Sequence, residues 1–249
     1  MTSAGWIRTA VVVAFVGIVE LLCRTGLIPN TVLIPPSEMA GELLAILQGG
    51  QMTGDIAATF GNAVLATVIA VVIGFAAGLV IQAMPALRRS VEPLLASYYS
   101  VPTFIFYPVF IVVFGVGDRA IIAIAVLLAV VAMITATLNG IDRIPPVLKK
   151  TARMYRMSRV RTALLVELPA AAPYLFTGVK LSVAYAFIGV IASEFILSGS
   201  GLGYEIAYAY NNFENRKMYA LMLLVLLSVA LINSVLDIID DRLQSRLQR

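Results

Sequence analysis

Six long apolar stretches run through this chain of 249 residues, at about 7–23, 58–84, 94–114, 119–140, 170–197 and 218–238. Crossing a bilayer as a helix takes about 20 consecutive apolar residues. Lipid offers backbone groups no water to bond with, so a run that is apolar on every face spans as an α-helix. The expected fold is all-α, a polytopic membrane helix bundle of about six transmembrane helices. Only 13% of the residues are charged and 60% are hydrophobic, whereas soluble domains are about one quarter charged; the chain lacks the means to cover itself with a polar surface. The second stretch is about 40 Å long as a helix, so it tilts or projects from the membrane. The first is followed by Arg24 and lacks a small-residue cleavage site, so it reads as a retained span.

Several chemistries are excluded outright. The chain has one cysteine, Cys23, and no histidine. An intramolecular disulfide, a Cys/His metal site and a histidine-based catalytic triad therefore lack their parts. No GxxxxGK[ST] phosphate loop occurs, so any ATP is bound by another chain. We assign no catalytic, cofactor-binding or metal residue, and do not expect an enzyme. The net charge of +4 invites a nucleic-acid partner only in a soluble protein. Here position matters more than the sum: with both termini in the cytoplasm, thirteen of the eighteen basic residues fall in inside segments and four outside, the bias that sets orientation.

Residues 1–50 read as the first span plus an extracytoplasmic amphipathic helix. That helix follows Pro35-Pro36-Ser37, with Ser37 as its expected N-cap, and Met39, Leu43, Ile46 and Leu47 share a face. Residues 51–241 form the main transmembrane domain, and 242–249 a cytoplasmic tail. Between the fourth and fifth stretches lies a cytoplasmic loop, 142–169, with seven basic residues. A loop of that length is usually functional. Pro145-Pro146 starts one short helix, 147–157, in which Leu148, Thr151, Ala152 and Tyr155 share a face. Ser158 caps a second, 159–168, with Leu164, Leu165 and Leu168 on one face, and Pro169 marks the next boundary. Two readings fit: a docking surface for a partner protein, or a basic loop held by anionic lipid headgroups.

The loop resembles the coupling motif of importer permeases in the ATP-binding-cassette superfamily: E-A-A, three residues, G, nine residues, I-x-L-P. In this sequence the register reads Lys150-Thr151-Ala152, Arg153-Met154-Tyr155, Arg156, nine residues, then Val166-Glu167-Leu168-Pro169. Ala152, Leu168 and Pro169 agree. Lys150 stands for the acidic residue, Thr151 for an alanine and Arg156 for the glycine. Because arginine enters the left-handed backbone region only at a cost, the turn is expected to shift to Met157-Ser158. Ile34-Pro35-Pro36-Ser37, Ser100-Val101-Pro102, Phe114-Gly115-Val116-Gly117, Thr177-Gly178-Val179-Lys180, Ala192-Ser193-Glu194 and Gly201-Leu202-Gly203 resemble, in order, segments of the nitrate/sulfonate/taurine branch. The resemblance implies the type I importer permease fold and a bacterial inner-membrane location. It further implies a second permease, two cytoplasmic ATPases that grip the coupling loop, and an extracytoplasmic binding protein that delivers a small solute.

Individual residues keep alternatives. Glu194, near the outer end of the fifth stretch, closes a gate through a structural pair, touches substrate, or sits hydrated at headgroup level. Lys180 snorkels to the interface or forms an anion site. Tyr99, Phe106 and Phe110, in a third stretch interrupted by Pro102 and Pro108, form a pathway-facing stripe, or the aromatics there serve packing and interface anchoring. Gly74 and Gly78 make a small-xxx-small pair for close helix packing. An ion-coupled secondary transporter is disfavoured because no inverted repeat is detectable, and an intramembrane enzyme because the spans hold no paired acidic cluster.

The charge bias predicts that 199–217 is extracytoplasmic. With Cys23 replaced by serine, a cysteine at Asn212 should react with an impermeant thiol reagent in intact cells. Labelling there only after lysis would reverse the orientation.

Overall fold

The computed structural model describes residues 3–247; the side chains of Arg8, Arg246 and Arg249, counted in the charge bias, and residues 248–249 of the expected tail lie outside the described residues. The described chain is helical, without strands: α1 Ser3–Arg24, α2 Pro36–Gly49, α3 Thr53–Ala83, α4 Pro85–Ser97, α5 Tyr107–Phe114, α6 Asp118–Asp142, α7 Pro146–Met154, α8 Arg159–Thr162, α9 Leu168–Leu197, α10 Leu202–Asn211 and α11 Asn215–Leu247. Among the described residues α3, α6, the run from α8 through α9, and α11 are long and apolar enough to cross a membrane, and α4 with α5 would make a fifth span. That makes four candidate spans among the described residues, or five with the bent pair, roughly in line with the expected six.

Two boundaries differ from expectation. The third stretch is not one helix. Short 3-10 turns at Tyr98–Ser100 and Thr103–Phe106 separate α4 from α5, and the two halves bend by 95°. Pro102 supplies the break: it donates no backbone N–H and holds the preceding residue extended, and Val101 has ψ 121°. Pro169, in contrast, ends nothing. A π-helical turn, Ala163–Glu167, leads straight into α9, and the Leu168 N–H bonds back to the Ala163 carbonyl. A proline at the second position of a helix needs no N–H partner, and the wider turn accommodates its ring. The expected tail likewise continues α11 as helix through Leu247.

The chain divides into two compact units. One comprises Met1–Ala58 and Glu194–Ser228. Here α2 starts on Pro35 as N-cap with Pro36 at its first position, so Ser37 is not the cap. Its N–H and hydroxyl instead donate to the Glu20 carboxylate at 3.0 and 2.6 Å, and Arg24 Nε donates to the same carboxylate at 2.6 Å. A carboxylate from α1 thus does the capping at the positive end of α2. Leu43 is the buried residue of the expected α2 face. The Tyr219 hydroxyl donates to the Val32 carbonyl, and Asn215 Nδ2 to that of Thr31 at 3.1 Å, so the connection into α2 is held from the start of α11.

The other unit comprises Thr59–Ser193 and Val229–Arg249. Its core is built of small residues: Ala63, Ala66 and Ala70 of α3, Ala125 and Ala129 of α6 and Ala186 of α9, with Ile121, Phe187 and Val190 filling the rest. Glycines bring the helices together. A Cβ on Gly74 would lie 2.7 Å from Met133 Cβ, and one on Gly78 2.7 Å from Thr137 Cβ. One on Gly178 would meet Ala136 Cβ at 2.5 Å, and one on Gly189 Ala125 Cα at 2.6 Å. α6 therefore receives α3 and α9 at backbone contact, the packing that association in lipid requires. Asn62, buried in α3, donates to Asp118 Oδ1 of α6 at 3.0 Å.

Gly189→Ala must push against a backbone atom and should cost about 1–3 kcal/mol, read as a lower melting temperature of the purified protein in detergent. Gly17→Ala, where nothing lies within 4 Å, should leave melting unchanged or slightly higher. Equal melting of both variants would refute the close-contact reading.

Candidate functional site

Within the second unit, α6 and α9 turn matching faces towards a cavity of about 280 Å³. From α6 come Ala132, Thr135, Ala136 and Asn139, and from its C-cap Arg143; from α9 come Tyr174, Thr177, Leu181 and Tyr185. Spacings of three, four and seven put each set on one helical face. Tyr99 closes the cavity from the turn after α4. The hydroxyl of Tyr98 donates to the Leu127 carbonyl at 2.6 Å, which fixes that turn. Tyr99 then stacks on Tyr185, with ring centroids 5.1 Å apart and planes 22° apart. At the other end the Arg143 guanidinium lies 5.2 Å over the ring of Tyr174. Gly140 leaves room for that ring's backbone: a Cβ there would come 3.1 Å from Tyr174 Cβ.

The expected aromatic stripe is corrected by this geometry. The 95° bend lies between Pro85–Ser100 and Thr103–Phe114, so it parts Tyr99 from Phe106 and Phe110, and the three do not form one stripe. Tyr99 lines the cavity; Phe106 is exposed; Phe110 stacks on Phe114 at 6.1 Å; Pro102 stands at the break itself. Lys180 neither snorkels alone nor waits for an anion. Its Nζ pairs with Asp237 Oδ1 at 2.5 Å and Asp240 Oδ2 at 3.4 Å on α11, two carboxylates placed one helical turn apart.

Glu194 belongs to the first unit and is 1% exposed, so it is not hydrated at headgroup level. Its Oε2 accepts the Gly203 N–H at 3.0 Å. Gly203 is the second residue of α10, whose N-cap is Gly201. A glycine cap has no side chain to accept the first free N–H groups, and the carboxylate arriving from α9 takes that part, charge against helix dipole. Gly201 has φ +96°, and a Cβ there would fall 2.5 Å from Glu194 Cδ. Its own N–H donates to Asp55 Oδ1 of α3 at 2.8 Å. The Gly201-Leu202-Gly203 turn is thus held by two carboxylates.

In the loop, α7 has Pro145 as N-cap, and Ser158 caps α8, its Oγ accepting the Arg161 N–H at 3.3 Å. The turn between them does not shift to Met157-Ser158. Arg156 itself takes φ +50°, and the Met157 N–H bonds to the Ala152 carbonyl at 3.0 Å, the pattern of a glycine-type helix stop. Ala152 is buried; Met154 and Tyr155 are 84% and 79% exposed. Lys150, Thr151, Arg153, Arg156, Ser158, Leu168 and Pro169 are exposed as well.

Residues 70–249 match the family model described as binding-protein-dependent transport system inner membrane component. The chain belongs to this family. It is 28% identical over 188 residues to the nitrate import permease protein NrtB of Leptolyngbya laminosa, covering 76% of this chain and 67% of that one. It is 31% identical over 143 residues to the bicarbonate transport system permease protein CmpB of Synechococcus elongatus, covering 57% of this chain and 51% of that one. The taurine transport system permease protein TauC of Escherichia coli is 26% identical over 182 residues, 71% of this chain and 66% of that one. The chain therefore spans about half to two thirds of the length of these relatives. A chain of the MetNI methionine ABC transporter, solved in inward-facing conformations, superposes with a TM-score of 0.69 over 77% of this chain and 95% of that one, at 20% identity; the likeness is one of fold. The chain is an ABC importer permease of the inner membrane, with the type I fold.

Arg156 thus bears the left-handed conformation that glycine adopts most freely. Sequence reading missed Arg143, Asn139, Tyr174 and Tyr185. For two of them a signal was present: Thr135, Asn139 and Arg143 recur every four residues along α6 and its C-cap.

Glu194→Gln keeps the shape and removes the charge, and should lower the melting temperature by an amount equivalent to about 1–2 kcal/mol. Gly201→Ala, which drives a methyl into the same carboxylate, should lower it too. The double variant should lose less than the sum. Strictly additive losses would separate Glu194 from the turn.

Proposed function

We propose that this permease forms half of a solute pathway, paired with a second copy or a related permease. Two cytoplasmic ATPases drive it, and an extracytoplasmic binding protein supplies it. Both termini lie in the cytoplasm of a bacterial cell, and membrane lipid surrounds the pair. Nucleic acid plays no part. The solute is small: a sulfonate, taurine or nitrate-like ion, or a small aromatic or vitamin-precursor compound. The names of the nitrate, bicarbonate and taurine relatives support the first group.

The observation that carries this reading is the α7–α8 loop. A permease without a nucleotide site needs a rigid handle by which another chain's ATP cycle can move its helices. The loop has the form of one. α7 is tied down at Ala152 and packs on the π turn that runs into α9, while Met154, Tyr155 and Val160 stand out uncovered among basic side chains. Apolar groups exposed in this number mark a partner surface. The same connection makes α9 the lever, because no break in helical structure separates α8 from α9. Tyr185 rides on that lever, in the cavity.

Lys150, Arg153 and Arg156 give the surface its sign, and charge complementarity calls for an acidic patch on the ATPase. Arg153→Glu with Arg156→Glu should leave membrane insertion intact and reduce co-purification of the ATPase about tenfold or more. ATP-dependent uptake into vesicles should fall with it. Full docking and full uptake by the double variant would turn the loop into a lipid-headgroup anchor.

A further inference from the structure

We infer that the cavity between α6 and α9 is a transit site for small organic anions with a flat apolar body, its fixed charge supplied by Arg143 and its flat wall by Tyr99 and Tyr185. The inference rests on the transport reading above and adds to it where the solute is held in this chain and what chemical class it belongs to.

Charge is the first argument. Arg143 is the one formally charged residue among those lining the cavity, and no carboxylate lies with it. Two basic side chains that lie between helices of the same unit are paired with aspartates: Arg88 Nη1 and Nη2 donate to Asp142 at 2.8 and 2.5 Å, and Lys180 is paired to Asp237 and Asp240. Arg143 has no such carboxylate among the described residues. It is steadied by the face of Tyr174, and stacking on a ring face leaves the guanidinium's in-plane donors available. A guanidinium so placed recognises a carboxylate, sulfonate or phosphate edge by two parallel hydrogen bonds.

Shape is the second. A volume of about 280 Å³ falls just short of the roughly 300–1,000 Å³ of pockets that take drug-sized ligands, so the solute is small. A bare inorganic anion would gain little from the other walls. The stacked pair Tyr99–Tyr185, open on the Tyr99 side, and the methyl groups of Ala132 and Ala136 offer a flat apolar bed, where rings stack in offset or edge geometry. Asn139 provides an amide that can serve either a donor or an acceptor on the solute.

Binding to the purified permease tests the site without requiring the ATPase or the binding protein. Benzenesulfonate, methanesulfonate and the neutral benzyl alcohol serve as probes, titrated by ligand-observed NMR against the full chain in nanodiscs of phosphatidylcholine. Benzenesulfonate should bind about tenfold or more tighter than either of the others. Arg143→Gln should remove that advantage over benzyl alcohol, and Arg143→Lys should restore part of it. Tyr185→Leu should remove the advantage over methanesulfonate; Tyr185→Phe, which keeps the ring, should retain it and covers the case that the leucine variant fails to fold. Equal binding of all three probes, or wild-type binding by Arg143→Gln, overturns the inference. Repeating the titration with phosphatidylglycerol added separates the two sources of an anionic group. Loss of benzenesulfonate binding there would assign Arg143 to lipid headgroups and overturn the solute site. Binding as expected in a complex that shows no ATP-driven uptake would instead defeat the importer reading and leave the site standing.

Discussion

In lipid, an apolar side chain gains nothing by exchanging one apolar neighbour for another, so helices stay together through contacts that need their backbones close. α6 is where this requirement is met. Gly74 and Gly78 let α3 onto it, Gly178 and Gly189 let α9 onto it, and alanines fill the layer between. The rest of the second unit follows from that spacing. Close approach at Gly178 and Gly189 sets the two helices, and their facing residues beyond the contact are left to enclose a cavity. Arg143 and Tyr174 meet because Gly140 allows the approach.

Charge is arranged with similar economy. A charged group in a membrane bundle is costly unless paired, and several of those within or beside the helices have partners on another element. Glu20 of α1 takes Ser37 of α2. Arg88 of α4 takes Asp142 of α6. Lys180 of α9 takes Asp237 and Asp240 of α11. Glu194 of α9 takes the amide end of α10. Each joins two different helices and so fixes packing rather than local helix. Arg143 departs from this pattern, resting on a ring, and this is why it draws attention as a binding group.

Much of the loop that holds α7 and α8 could be read from residues alone. Pro145, Ser158 and the register of Ala152 locate two short helices because caps and prolines act within a turn of themselves. Arg156 could not be read that way. Local preference moves the turn off an arginine, yet the stop at Ala152–Met157 holds it in the left-handed region. Pro169 was misleading for a related reason: a proline in the first turn of a helix and a proline after its end look the same until hydrogen bonds are traced. Glu194 was visible as an intramembrane carboxylate, but its partner is a backbone amide, and backbone amides leave no mark in a sequence.

By itself the sequence determined that the chain is a helical membrane bundle, that it lacks the residues for histidine- or cysteine-based chemistry and for holding nucleotide in a phosphate loop, and where a basic loop of two short helices interrupts the spans. These are properties of composition and of periodicity within single segments, which burial in lipid and local caps decide. The tertiary structure alone decided the 95° break in the third stretch, the partners of Lys180 and Glu194, and the meeting of Tyr99, Arg143 and Tyr185 around one cavity. The partners of Lys180 and the cavity depend on which helix faces which and how closely, set by residues dozens of positions apart; the break and the Glu194 pairing turn on how the chain bends at Pro102 and at Gly201, which composition does not reveal.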